Sequence, residues 1–293
     1  MRILLTGGSG FIGRSLAPKL AGRHEVLLTG RQSSARFGVD LIEWDLSQPA
    51  PPQLEKEKID AIVHLAQSGD HRDFPASAPK MFAVNVAGGQ NLLDFAAKAG
   101  VSQFCLVSTG TVYEPFTAKT LREDMALSPS SMLGATKLAA EVIAQPYSHL
   151  FKLCILRLFF PYGVGQVDRL LPNLVGRIAS GQPIQVSKDG EGLRFTPIWL
   201  DDVVDVISTA VEQSWTGTMN VANPRVVTIR TVGQLIAEQI GTSLKVDVTA
   251  AEPLFIVPDL TRLQSYMDLS GMTGIESGIA AMLHKPLQAP AEI

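Results

Sequence analysis

The sequence is short of what a metal centre, a disulfide framework, a membrane or a nucleic acid would require. Cysteine occurs twice, at Cys105 and Cys154, each inside an apolar run (QFCLVS and KLCILRLF). Two such thiols exclude a disulfide scaffold and a cysteine zinc site, and they read as buried free thiols. The five histidines show no zinc spacing, so no metal is expected, and His64 and His71 match no ligand pattern. Charge of one sign is also missing: the net charge is -3, the pI is near 6.0, and no long run of like charges occurs. That leaves no basic field for nucleic acid or an anionic membrane. No apolar run approaches the ~18 residues of a membrane span, and MRILLTGG is too short and too soon broken by glycine to be a signal peptide. A soluble, cytoplasmic protein is expected.

What is present is a large apolar fraction, 46% of 293 residues, enough for a full core in one large domain or a domain with a smaller companion. From Arg2 to about Phe160 short apolar runs (ILLTG, EVLLTG, LIEWD, AIVHLA, FCLVST, LCILRLF) alternate with helical patterns at Gly10 to Gly22, Pro79 to Gly100 and Ser131 to Gln145. Strands alternating with helices predict an α/β fold, a doubly wound parallel (Rossmann) sheet. After Pro161 the texture changes. LLPNLVGRIASGQ reads as a helix ended by glycine, and PIQVSKDGEGLRFTPIWL as two strands joined at KDGEG. Helices are expected over Asp202 to Gln213, capped by Asp201 or Asp202, and over Thr231 to Gly241. The expected division is residues 1–162 with 197–222 as the dinucleotide-binding domain, and 163–196 with 223–293 as a smaller C-terminal substrate lobe.

Directly after the first strand and before the first helix stands TGGSGFIG, residues 6 to 13. Glycines at 7, 10 and 13 permit a tight turn, close approach of a diphosphate to backbone N–H groups, and close packing of helix on strand. In that context the loop predicts dinucleotide binding.

The G-x-x-G-x-x-G spacing resembles that of the extended short-chain dehydrogenase/reductase superfamily, in its NAD-dependent epimerase/dehydratase branch acting on nucleotide sugars. The likeness spans most of the chain: EWDL around Asp45, HLAQ at 64 to 67, NVAGGQNLLDFAAKAGV from Asn85, VSTGTVYE from Val107, RLFFPYGVG, and LRFTPIWLDDVV. It implies cofactor contacts from Gly7, Gly10, Phe11, Ile12, Gly13, Arg31, Asp45, Leu46, Leu65, Ala66 and Lys137. NAD-preferring relatives end the second strand with a carboxylate for the adenosine ribose. Here that strand ends Thr29, Gly30, Arg31, and a guanidinium suits the 2'-phosphate of NADP, with Arg36 able to assist. NADP is the expected cofactor and NAD the alternative.

The same resemblance implies a Ser or Thr on the fifth strand that orients the substrate oxygen, and a Tyr four residues before a Lys that transfers the proton. Thr109, after Ser108, and Lys137 hold two of those places; the third holds Leu133. Positions 133 and 137 share a helix face. Leucine neither gives nor takes a proton, and loss of a positioned acid/base typically costs ~10²- to 10⁴-fold in rate. His71, beside Asp73, and Tyr113 are the substitutes weighed, a histidine being able to titrate near neutrality; Tyr162, Glu123 and Asp124 resemble supporting residues. For the substrate, Arg194 matches an arginine that contacts a diphosphate, with Asn173 and then Arg169 as further contacts. The expected function is that of an NAD(P)-dependent nucleotide-sugar epimerase, dehydratase or reductase with an atypical acid/base set. A catalytically silent NADP(H)-binding sensor or scaffold, and a reductase of a non-sugar carbonyl, are the alternatives. The expected partner is a small-molecule substrate, and a homodimer is compatible with the sequence.

Overall fold

The computed structural model describes residues 1–31, 38–69 and 73–284. Six strands pair in parallel: β1 (Arg2–Thr6), β2 (Glu25–Gly30), β3 (Asp40–Glu43), β4 (Ala61–His64), β5 (Gln103–Thr109) and β6 (Lys152–Leu158). With the strand Gly217–Val221 beside β6 they make a seven-stranded sheet in the order β3-β2-β1-β4-β5-β6-(217–221). This is the expected Rossmann-like α/β architecture. The inner strands are buried on both faces, which explains why their sequences run as continuous apolar stretches instead of alternating. One face packs Leu4, Ile62, Phe104, Leu106, Leu153 and Ile155 against Leu92, Leu93, Phe95 and Ala96 of the helix Gly88–Ala99. The strand order reverses between β1 and β4, and in open α/β sheets the crevice at such a reversal, beyond the carboxyl ends of the strands, is where ligands bind.

Helix α1 covers Gly13–Ala21. The expected single helix from Pro79 to Gly100 is three stretches: α2 (Ala78–Phe82), a π-helical turn (Ala83–Ala87) and α3 (Gly88–Ala99), closed by Gly100 at φ 66°. Helix α4 covers Met132–Ala144; Ser131 caps it, its Oγ accepting the Gly134 N–H at 3.1 Å. Helices α5 (Leu170–Ala179), α6 (Leu200–Glu212) and α7 (Ile229–Ile240) follow.

Two local expectations are corrected. Asp201 and Asp202 lie inside the first turn of α6 and do not cap it. The Asp201 carboxylate accepts the Trp199 indole N–H at 3.1 Å, and the Asp202 carboxylate accepts the Thr273 N–H at 2.9 Å. The two runs around KDGEG do not pair with each other: Ile184–Val186 lies along Val246–Val248, while Arg194–Phe195 lies between Val227–Thr228 and Phe255–Ile256. The turn itself forms, held by the Gly190 N–H on the Ser187 carbonyl at 2.8 Å, but it redirects the chain into a different sheet.

The chain divides into two compact units. The first comprises Met1–Pro115, Ala126–Leu158 and Val204–Met219; the second comprises Phe116–Met125, Phe159–Val203 and the chain from Asn220 onward. The second unit has its own core, in which Leu171, Leu174 and Ile178 of α5 meet Val232 and Ile236 of α7, together with Tyr162, Trp199 and Ile279. Among the described residues no helix is long and apolar enough to cross a membrane.

Candidate active site

In the first unit the carboxyl ends of β1 and β4 are fitted together by the glycine loop. Gly7 has φ 74°, and a Cβ there would come within 2.7 Å of the Ala66 N. A Cβ on Gly13 would meet the Gly7 carbonyl at 2.3 Å. Only glycine allows this approach, and it leaves the loop backbone lining the reversal point. No side chain caps α1; the N–H groups of Arg14 and Ser15 in its first turn donate to the Gly10 and Ile12 carbonyls at 3.0 and 3.1 Å. The floor is fixed by His64, whose Nδ1 is hydrogen-bonded to the Thr6 hydroxyl at 2.7 Å, while Thr6 Oγ1 accepts the Ala66 N–H at 3.2 Å. Burial, with a smaller contribution from the Lys137 charge, lowers the His64 pKa to about 3, so the imidazole is neutral.

The other residues expected around a dinucleotide follow the carboxyl ends of β1 to β4 in the chain. Phe11, Ile12, Leu65 and Ala66 are half-buried, Leu46 is buried, and Asp45 is exposed with Oδ1 accepting the Ser47 N–H at 3.0 Å. Arg31 is exposed just past β2; Thr29, buried near the end of β2, has a hydroxyl with no hydrogen-bond partner among the described residues. Arg36 and His71 lie outside the described residues. The glycine cradle and the unpartnered Thr29 hydroxyl fit a dinucleotide.

At the end of β5, Thr109 Oγ1 is half-buried and accepts from the N and Oγ1 of Thr111, each at 3.3 Å. Leu133 stands half-buried in the first turn of α4. The glycine after it is forced: a Cβ on Gly134 would lie 2.6 Å from the Thr111 carbonyl and 2.7 Å from Pro129. One turn on, Lys137 is 3% exposed and its Nζ donates to the Val107 carbonyl at 2.6 Å. Burial lowers its pKa to about 8, against an opposing pull from Glu141.

Sequence reasoning assigned no role to two supports of α4. Asn85, buried in the π-helical turn, accepts the Ser68 N–H at 2.8 Å and donates to Thr136 Oγ1 at 3.0 Å; the Thr136 hydroxyl reaches the Met132 and Leu133 carbonyls at 2.8 and 3.1 Å. The loop after β4 is thus joined to the turn that carries Leu133, and π-helical turns recur at functional sites. Glu114 accepts the Ser131 N–H at 3.0 Å. Tyr113 is buried, with Arg157 Nη1 donating to its hydroxyl at 2.7 Å.

In the second unit, Arg194 donates to the Asp189 carboxylate at 2.7 Å and to the Gly192 carbonyl at 3.2 Å, with its guanidinium 5.0 Å from the centre of the Phe255 ring. Asn173 is exposed on α5, and Arg169 is exposed at its start.

Residues 3–222 match the family model described as the NAD dependent epimerase/dehydratase family. UDP-glucuronic acid decarboxylase 1 of Arabidopsis thaliana is 26% identical over 309 residues, covering 97% of this chain and 69% of that protein. A probable UDP-glucuronate 4-epimerase of Rhizobium meliloti (strain 1021) is 28% identical over 235 residues, covering 71% of this chain and 67% of its own length. Among solved structures, MoeE5 in complex with UDP-glucuronic acid and NAD superposes with a TM-score of 0.83 at 25% identity, over 97% of this chain and 98% of that one. With a glycine cradle at the sheet reversal, a threonine ending β5 and a buried lysine on α4, this chain belongs to the NAD-dependent epimerase/dehydratase family.

Proposed function

We propose that this protein is an NAD(P)-dependent nucleotide-sugar enzyme, an epimerase, dehydratase or reductase, whose proton transfer does not use the family's usual tyrosine. The observation that carries this reading is that Lys137, one turn after Leu133 on α4, donates to the carbonyl of Val107, two residues before Thr109 at the end of β5. Thr109 Oγ1, which accepts from the neighbouring Thr111 groups at 3.3 Å, orients a substrate oxygen. Lys137 donates to the cofactor ribose, Gly7, Gly10 and Gly13 cradle the diphosphate, and Asp45 accepts from the adenine. A bound nicotinamide supplies reversible hydride acceptance. NADP is assigned over NAD because β2 ends without a carboxylate and Arg31 follows it, exposed. Residues 163–196 and 223–293 are assigned to the substrate, with Arg194 and Asn173 on its diphosphate and nucleoside. Because the relatives' names carry it, UDP-glucuronic acid is the first substrate to test.

The experiment is incubation with NADP or NAD and a panel of nucleotide sugars, following nicotinamide absorbance and sugar products. Turnover of one member supports the reading. Tight cofactor binding with no product across the panel would overturn it in favour of the second reading, a silent NADP(H)-binding sensor or scaffold, which Leu133 by itself favours.

A further inference from the structure

The end of β5 is gripped from α4 by two side chains one turn apart. Lys137 holds the Val107 carbonyl at 2.6 Å; Glu141, four residues on and on the same face, accepts the Ser108 hydroxyl. Thr109 is the next residue, so its place is set by this grip. Glu141 is also paired with Arg157 of β6, which donates from Nε at 3.1 Å and from Nη2 at 2.7 Å, and whose remaining nitrogen reaches Tyr113. Ser108, Glu141, Arg157, Tyr113 and Lys137 are all at most 6% exposed.

A buried ion pair is a poor way to gain stability, since well-packed apolar side chains of similar volume hold a helix to a sheet as well or better. Its location has a clearer physical consequence. Burial disfavours the Lys137 ammonium, and the Glu141 carboxylate opposes that effect. Among the described residues no other carboxylate bears on this lysine: His64 on β4 is neutral, the Arg157 cation on β6 is matched to Glu141, and Val107 offers an uncharged carbonyl. With leucine at 133 no phenol stands one turn before the lysine, while Glu141 keeps its partners Ser108 and Arg157.

We propose that Glu141, fixed by Ser108 and Arg157, is a positioning residue that keeps Lys137 cationic and aimed for dinucleotide binding. The proposal rests on the assignment of Lys137 to the cofactor ribose. Glu141 itself touches no cofactor; it acts through the lysine.

The test measures NADPH and NADH affinity by fluorescence from about pH 6 to about pH 9.5, a range that spans the lysine's titration. In the wild type the affinity is level up to about pH 8 and falls above it, because the lysine loses its proton there. In Glu141→Gln the break moves down by about one pH unit or more, which weakens binding about fivefold at the wild-type midpoint while leaving the acid limb nearly unchanged. Glu141→Asp restores the break. Should Glu141→Gln fail to fold because Arg157 is left unpaired, the double variant Glu141→Gln/Arg157→Met removes the pair together and shifts the break in the same sense. A break that stays in place while affinity drops equally at every pH would show a merely structural role and overturn the proposal. Failure of the underlying assignment looks different: Lys137→Met would then bind both cofactors as the wild type does.

Discussion

Acid should weaken this fold through one identifiable group. His64 is 2% exposed, with its Nδ1 hydrogen-bonded to the Thr6 hydroxyl at 2.7 Å, and burial disfavours its charged form. Its pKa is lowered to about 3 in the folded chain, against the ordinary 6.5. As pH falls, the unfolded chain therefore binds this proton first, so the histidine's contribution is complete above about pH 6.5 and is lost progressively down to about pH 3. Each pH unit within that window costs about 1.4 kcal/mol, so on going from pH 8 to pH 5 the loss from this group alone is about 2 kcal/mol. Urea denaturation at the two pH values, in wild type and in His64→Asn, isolates the term, because asparagine keeps an acceptor near the Nδ1 position but does not titrate. The wild type should lose about 2 kcal/mol more than the variant. Parallel losses in the two proteins would refute the assignment of a buried, neutral histidine.

Three further substitutions test separate parts of the structure. Gly13→Ala puts a methyl group within 2.3 Å of the Gly7 carbonyl; dinucleotide affinity should fall by at least about tenfold, or about 1.4 kcal/mol, in a fluorescence titration, and undiminished binding would remove the glycine loop from the site. Leu133→Tyr returns an acid/base group to the first turn of α4 and should raise turnover of an accepted nucleotide sugar by about 10²-fold or more; an unchanged rate would mean that proton transfer is not limited at this position. Gly278→Ala would bring a methyl carbon to 2.1 Å from the Tyr162 hydroxyl, which has no hydrogen-bond partner among the described residues. Overpacking of this kind costs about 1–3 kcal/mol, and adding Tyr162→Phe should recover only the hydroxyl's part of it in a thermal melt, because the ring carbons remain at 2.8 and 2.9 Å; equal melting losses in the single and double variants would exclude the hydroxyl contact as a cause.

The sequence disclosed what repeats along the chain or is forced by close packing. The five inner strands were legible because a parallel sheet buried on both faces leaves continuous apolar runs, and Gly7 and Gly13 because nothing larger fits where they stand. Less visible was the Gly217–Val221 strand, whose GTMNV is brief and mixed in polarity. The pairing of Ile184–Val186 with Val246–Val248 was equally hidden, since it joins residues about sixty positions apart while a nearer turn suggests a hairpin. The supports of the candidate site escaped for a related reason. Asn85, Glu141 and Arg157 act through partners on other elements, and only the four-residue step from Lys137 to Glu141 gave a local hint. Asp202 looked like a helix cap because its true partner, Thr273, lies some seventy residues away.

Cys105 and Cys154 are direct partners in the register of β5 and β6, and both are fully buried. The chain therefore contains its own clock for sheet opening. A thiol-reactive dye can reach these sulfurs only when the two strands part, so the rate of labelling reports how often the centre of the sheet comes undone. Added dinucleotide, if it binds across the strand ends above them, would slow that clock without any tag having been introduced.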